Sequence, residues 1–246
     1  SDLYQQLAKD NPLVHGPMIG AVTHDSARIW VRTQDELPVT VLVVKAGEAA
    51  QPAGKNTVTS RASDDYTAVV PIKGLAANTN YAYSVKVGDE DYEGGVFRTA
   101  PLPRTPAKIR LAFGGGAGFV PPHERVWNTI LDRKPHLLLM LGDNVYIDQP
   151  TSPHRNLYTY YRRQSRPEWR QLVANTPTFS IWDDHDFGMN DCSGGPLVNE
   201  PAWKPDVWRI FTQNWVNPSY GGGQQQPGCW YTFSWGDVDF VMLDSR

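Results

Sequence analysis

No part of the chain approaches the roughly 20 consecutive apolar residues that a membrane-spanning helix needs, so no transmembrane segment is expected. The opening SDLYQQLAKDNPLVHG lacks the basic-then-apolar pattern of a signal peptide, and a cleaved signal would leave no trace. No run of five like charges occurs and the formal net charge is only -3, so no surface for nucleic acid or another polyanion is evident. There are two cysteines, Cys192 and Cys229, so at most one disulfide can form. Ser180 and Ser234 lack any Gly-x-Ser-x-Gly context, which leaves a serine hydrolase without support. Internal repeats and low-complexity tracts are also missing.

With 40% hydrophobic and 20% charged residues, the 246-residue chain suits one large domain or two ordinary ones, each burying its own core. From about residue 16 to 99, short β-type runs alternate with turn residues: MIGAV, ARIWVRT, VTVLVVKAG, YTAVVPI, NYAYSVKV and EGGVFRT. This rhythm predicts an antiparallel β-sandwich after a lead-in at 1–15. The sandwich resembles immunoglobulin and fibronectin domains. GLAANTNY at 74–81 is similar to the fibronectin type III corner, in which Leu75 would pack inward and the Tyr81 hydroxyl would reach back to the backbone.

Proline-rich APLPRTP then favours extended backbone and predicts a linker over 100–107. Beyond it, an apolar run at Ile109–Phe113 ends in Gly114-Gly115-Gly116, helical spacing follows from His123 to Arg133, and His136–Leu141 is a second apolar run. Strand, glycine loop, helix and strand make a βαβ unit, hence an α/β domain over 108–246 with a mixed sheet whose working edge is at the strands' C-terminal ends. Leu157–Arg163, Pro167–Ala174 and Pro205–Trp215 read as helices. Thr178–Trp182, CWYTFSW and DVDFVMLDSR read as strands.

Two apolar runs deliver carboxylates at their exits, as Gly142-Asp143-Asn144-Val145-Tyr146 and Trp182-Asp183-Asp184-His185-Asp186. Hard cations take oxygen ligands, and a strand end holds such a ligand rigidly over a crevice. A lone Asp at such a place is commonly a cap or turn former; two clusters at consecutive strand ends point to a metal site. GDNVYID resembles the Gly-Asp-x-x-Tyr motif of the alkaline phosphatase D (PhoD-like) family, and WDDHDFGMND resembles its Trp-Asp-Asp-His-acid-x-x-x-Asn signature. YTFSWGDVDFVMLDSR is similar to the family's strand pair ending in Leu-Asp-x-Arg.

The resemblance implies a metal-dependent hydrolase of phosphomonoesters or phosphodiesters. Its substrate would be a small phosphate ester, with a metal-bound hydroxide as nucleophile and secretion to the periplasm, cell surface or medium. Asp143 would bridge two metal ions, Tyr146 would bind the trivalent one, Asp184 would take the place of a ligand Asn, and His185 would act beside the phosphate. Asn190 would ligate or orient a ligand, while Asp183 and Asn144 would support the ligands from behind. Export would join Cys192 and Cys229 in a disulfide, the alternative being two ordinary thiols.

Two departures stand against the pattern. Where the family has Gly-Ser-Cys, this chain has Gly114-Gly115-Gly116, so an iron-thiolate site of the usual kind cannot form. The two ions are left open among calcium, iron, zinc and manganese. The glycines read as a tight turn, or as a backbone nest for phosphate. His123 and Glu124 read as a solvated helix start. The family's later Asp-x-His motif is not among these residues, so the α/β domain is expected to be incomplete, with the remaining C-terminal portion elsewhere. The rival reading is a glycan-, lipid- or cell-surface-binding module with a degenerate metal site, its tryptophans at Trp182, Trp203, Trp208, Trp215, Trp230 and Trp235 forming a wall or simply core.

Overall fold

The computed structural model describes residues 11–48 and 51–246, so most of the expected lead-in lies outside the described residues. The first seven strands are β1 (Leu13–Gly20), β2 (Ser26–Thr33), β3 (Pro38–Lys45), β4 (Pro52–Thr59), β5 (Thr67–Lys73), β6 (Asn80–Val87) and β7 (Glu90–Arg98). Six match the predicted runs. The seventh, β4, reads PAGKNTVT and lies mostly exposed at a sheet edge, so it lacks the buried alternation that would mark it. The corner forms as its sequence predicts: Leu75 is buried, and the Ala76 N–H donates to the Tyr81 hydroxyl at 2.8 Å.

The second half contributes β8 (Leu111–Gly114), α1 (Val126–Asp132), β9 (Leu137–Leu141), α2 (Pro153–Gln164), α3 (Pro167–Asn175), β10 (Thr178–Ile181), α4 (Asp184–Phe187) and α5 (Lys204–Asn214). The hairpin β11 (Tyr231–Trp235) and β12 (Val238–Met242) follows. Strands β8, β9 and β10 pair in parallel, the mixed α/β arrangement that the βαβ pattern predicts.

The sheets are not partitioned between the halves. The order β5-β2-β1-β10-β9-β8 makes one six-stranded sheet, joined where β1 meets β10 in parallel at Gly20 and Thr178. A Cβ on Gly20 would lie 2.5 Å from Val216 and 2.7 Å from the Thr178 carbonyl, so the junction requires glycine. The second sheet, β4-β3-β6-β7, packs on one face of β5-β2-β1 through Ala27, Ile29 and Val31 against Val39, Val41, Val43 and Val85.

Alternate residues of β2 and β9 serve two different cores. Leu137 and Leu139 face the same side as Ile29, whereas Trp30, Leu138 and Met140 join the helix-side cluster with Trp169, Phe187 and Phe211. A strand buried on both faces needs an unbroken apolar run, which is why HLLLML stands out in sequence. The β11–β12 hairpin covers the first face by stacking: the Phe179 and Phe233 rings lie 3.9 Å apart and Phe233 and Phe240 4.6 Å apart. The expected extended linker at 100–107 is broken by a turn at Pro103-Arg104, where Arg104 has φ +64° and the Thr105 N–H donates to Leu102 O, and it is docked, the Ala100 N–H donating to Thr23 O and the Arg104 N–H to Gly236 O.

A buried polar network ties β1 and β2 to the helices. Arg32, 1% exposed, donates to His15 Nδ1 at 3.0 Å, to Asp65 at 2.7 Å and to Asn214 Oδ1 at 3.0 Å. Since Nδ1 accepts from a guanidinium, His15 Nε2 carries the proton and donates to the Ser165 hydroxyl at 2.9 Å. Burial, together with the charges of Arg32 and Arg170, holds the His15 pKa well below 6.5.

The unfolded chain protonates this imidazole near pH 6.5 and the folded chain does not, so the stability it carries is present above that pH and is lost as pH falls. Urea unfolding at pH 7 and pH 5 should therefore show a loss smaller by about 2 kcal/mol in His15→Gln than in the parent, at roughly 1.4 kcal/mol per pH unit. Equal losses would place the titration elsewhere.

Candidate metal centre

Leu141 of β9 and Ile181 of β10 sit side by side, so Asp143 and Asp183 leave the sheet at the same level. The loops then converge. Gly142 has φ +101°, and a Cβ there would lie 2.4 Å from the Asp183 Cβ, so only glycine admits the approach. Asp143 follows at φ +50°, a left-handed conformation that Asp tolerates better than most residues.

Carboxylate oxygens of Asp143 and Asp184 and a ring nitrogen of His185 all lie within 4.8 Å of one another. The Tyr146 hydroxyl reaches Asp143 Oδ2 at 3.4 Å. The His185 N–H donates to Asp143 Oδ1 at 3.3 Å and to Asp184 Oδ1 at 3.1 Å, which locks the two carboxylates to one backbone point. Partial burial and the neighbouring charge of Asp184 raise the Asp143 pKa, although the His185 N–H pulls the other way. Burial would raise Asp184 too, but the Asp191 N–H and Arg246 outweigh it and leave its pKa lowered.

Behind these side chains is Asp186, 1% exposed, whose role the sequence does not reveal. It accepts N–H donors from both loops: Asn144 at 3.1 Å and Val145 at 3.2 Å from one, Asp183 at 3.1 Å from the other, plus the Asn144 amide at 3.2 Å. Complete burial pushes its pKa up to about 7 against the pull of these donors. Asn144 thus supports the site from behind, its amide also donating to Ile181 O at 2.8 Å.

Asp148, likewise unmarked in sequence, lies 2.6 Å from His185 Nδ1. The Tyr146 ring packs on the imidazole, centroids 4.2 Å apart. Burial lowers the His185 pKa, but the hydrogen bond and charge of Asp148, with the charges of Asp143 and Asp184, outweigh it and raise the value. With Nδ1 engaged, Nε2 is the nitrogen left to act.

Asp183 turns to the end of the chain, accepting from Ser245 and the Arg246 guanidinium. Asp244 accepts from Trp182 Nε1 at 2.6 Å and the Cys229 N–H at 2.9 Å, so LDSR braces the second carboxylate loop. Asn190 is exposed and its amide donates to Asp191, so it does not enter the carboxylate cluster; the Asp191 N–H reaches Asp184 Oδ2 instead, at 2.5 Å.

Two expectations are overturned. Cys192 and Cys229 are free thiols. Cys229 is buried and accepts from the Trp182 N–H, whereas Cys192 accepts from the Met189 N–H and donates to the Asp184 carbonyl, so each thiol is engaged locally. Glu124 is not solvated but 3% exposed, paired with buried Arg163 and accepting from Trp127 Nε1 at 2.8 Å.

Arg163 also donates to the Ala117 carbonyl, gripping the glycine loop. The N–H groups of Gly116, Ala117 and Gly118 donate to the carbonyls of Gly142, Asp143 and Gly116, so the tight turn describes this loop better than a phosphate nest. A Cβ on Gly116 would lie 4.0 Å from the Tyr146 hydroxyl, at the position where the resemblance places a Cys.

Comparison with known proteins bears on the fold that carries this cluster. The solved structure of PhoD superposes with TM-score 0.82 over 96% of the chain, at 19% identity. The chain has the fold of PhoD. Purple acid phosphatase 23 of Arabidopsis thaliana is 25% identical over 202 residues, 71% of this chain. Both bear out the resemblance to the PhoD-like metallophosphatases. The chain spans 52% of PhoD and 39% of the purple acid phosphatase. Residues 10–96 match a domain of unknown function, DUF7800.

Asp186→Asn would set an NH2 group against N–H donors now satisfied by a carboxylate. It should cost about 2–3 kcal/mol of unfolding free energy in a urea titration, the penalty of stranding buried donors. A change below about 0.5 kcal/mol would show that the two loops hold together without it.

Proposed function

We propose that the chain carries the principal metal-binding and acid groups of a phosphoric ester hydrolase acting on phosphomonoesters or phosphodiesters. The observation that carries this reading is the convergence of Asp143, Asp184 and His185 at adjacent strand ends. Two carboxylates held this close need a counter-charge, and the donor set fits a cation. Asp143, Asp184 and Tyr146 offer hard oxygen donors, which suits manganese, iron, calcium or zinc. The resemblance implies two ions, with Asp143 shared between them. Bound ions would supply Lewis acidity toward a phosphoryl oxygen and activate water for attack.

The residues of the chain do the rest. His185, with Nδ1 on Asp148 and its protonated form favoured, points to acid work. As water attacks phosphorus in line and the bond to the leaving oxygen breaks, Nε2–H donates its proton to that oxygen. Asp148 fixes the ring and balances its charge. Arg246 neutralises Asp183, so the negative charge concentrates on Asp143 and Asp184.

A place in the periplasm, at the cell surface or outside the cell belongs to the same reading. No helix among the described residues is long and apolar enough to cross a membrane.

In the full-length protein supplied with these metals, Asp143→Asn should lower kcat on 4-nitrophenyl phosphate or its bis-ester by about 10³-fold while KM changes little. Such a loss matches the several kcal/mol expected of a group needed in the transition state. Near-parental turnover would make Asp143 a turn residue. Absence of both stoichiometric metal and turnover in the parent would favour the binding-module reading.

A further inference from the structure

Next to the Asp143–Asp184–His185 cluster is a cavity of about 440 Å³ with the opposite charge character, lined by Tyr146, Asp148, Arg155, Tyr158, Thr159 and Arg162. Four of these come from α2 at spacings of three, four and seven residues, so they share one helical face. Asp148 is the one carboxylate in the lining, and it is occupied by His185. Two guanidinium groups therefore face a cavity whose negative charge is already paired.

Arg162 is oriented rather than loose. Its guanidinium lies 4.3 Å from the Phe119 ring centroid and 5.8 Å from that of Tyr158, and its Nε is buried without a hydrogen-bond partner. Stacking on an aromatic face fixes the guanidinium plane and leaves its edge donors for a planar or tetrahedral oxyanion. Tyr146 and Asp148 belong to both cavity and catalytic cluster, and both touch His185. A phosphomonoester has only its leaving group to place beyond the phosphoryl centre, so a cavity beside the Asp143–Asp184–His185 cluster lies on the leaving-group side.

We infer that this cavity is a leaving-group subsite that selects esters carrying a second phosphate a few atoms from the scissile one, with Arg155 and Arg162 binding that phosphate. The inference rests on the phosphoesterase reading and names its substrate class. A charge-assisted pair of this kind contributes about 1.5–3 kcal/mol, or roughly 10- to 100-fold.

The test compares propyl phosphate with propane-1,3-diol bisphosphate, matched except for the second phosphate, in the full-length protein. The parent should prefer the bisphosphate about 10- to 100-fold in kcat/KM. In Arg155→Met/Arg162→Met the ratio should fall to near one, with Arg162→Lys intermediate because it keeps the charge but not the fork. Equal efficiencies in the parent, or a preference that survives in the double variant, would overturn the subsite. Should the double variant fail to fold, exposed Arg155→Met alone must still reduce the ratio.

If neither ester is hydrolysed, turnover of 4-nitrophenyl phosphate and of its bis-ester decides the phosphoesterase reading, and calorimetric binding of propane-1,3-diyl bisphosphonate against propylphosphonate decides the subsite. Binding at least tenfold tighter for the bisphosphonate, lost with the arginines, supports it. Equal binding overturns it.

Discussion

The site depends on one buried carboxylate that binds no ligand. Asp186 gathers backbone N–H groups from the loop after β9 and the loop after β10, which belong to segments about forty residues apart in sequence. Those donors sit at the sheet's end, where the ladder has stopped supplying partners. Only an acceptor with two oxygens satisfies both loops at once. In doing so it brings Asp143 and Asp184 closer than their charges favour, a crowding that a bound cation would relieve under the proposed function.

Around this anchor, charge is graded in space. Arg246 meets Asp183, Asp148 meets His185, and Arg163 meets Glu124 beneath the glycine loop, so each ionised group around the cluster has a partner. Arg246 also comes within 3.9 Å of Asp184, which leaves Asp143 at the centre and the two guanidinium groups of the neighbouring cavity without an ion pair among the described residues. A substrate bearing phosphate with a metal ion at one end and a second anion at the other would complete both. Rigidity comes from below, because β9 and β10 are buried on both faces and β1 extends their sheet into the amino-terminal strands.

What sequence alone revealed follows the range of the interactions. Apolar runs ending in Gly-Asp and Asp-Asp-His were legible because strand burial and strand exit are local properties, and the Tyr81 corner was legible because its partner is five residues away. Asp186 and Asp148 were not, since their roles arise from contacts 37 to 42 residues distant that no spacing rule encodes. Glu124 was read as solvated because its partner, Arg163, lies on another helix. The continuity of the sheet through Gly20 and Thr178 escaped for the same reason, and so did β4, a polar edge strand. The thiols illustrate the converse: compartment and count suggested a bond, while tertiary placement engaged each sulfur separately.

Paramagnetic resonance of Mn²⁺ titrated into the full-length protein tests the account most directly, because it reads the ion at the site rather than its consequence for turnover. The account predicts bound Mn²⁺ in the parent, with affinity reduced at least tenfold in both Asp143→Asn and Asp184→Asn and unchanged in Asp64→Asn, an exposed carboxylate remote from the cluster. Free Mn²⁺ throughout the parent titration, or bound Mn²⁺ indifferent to both site substitutions, would contradict it.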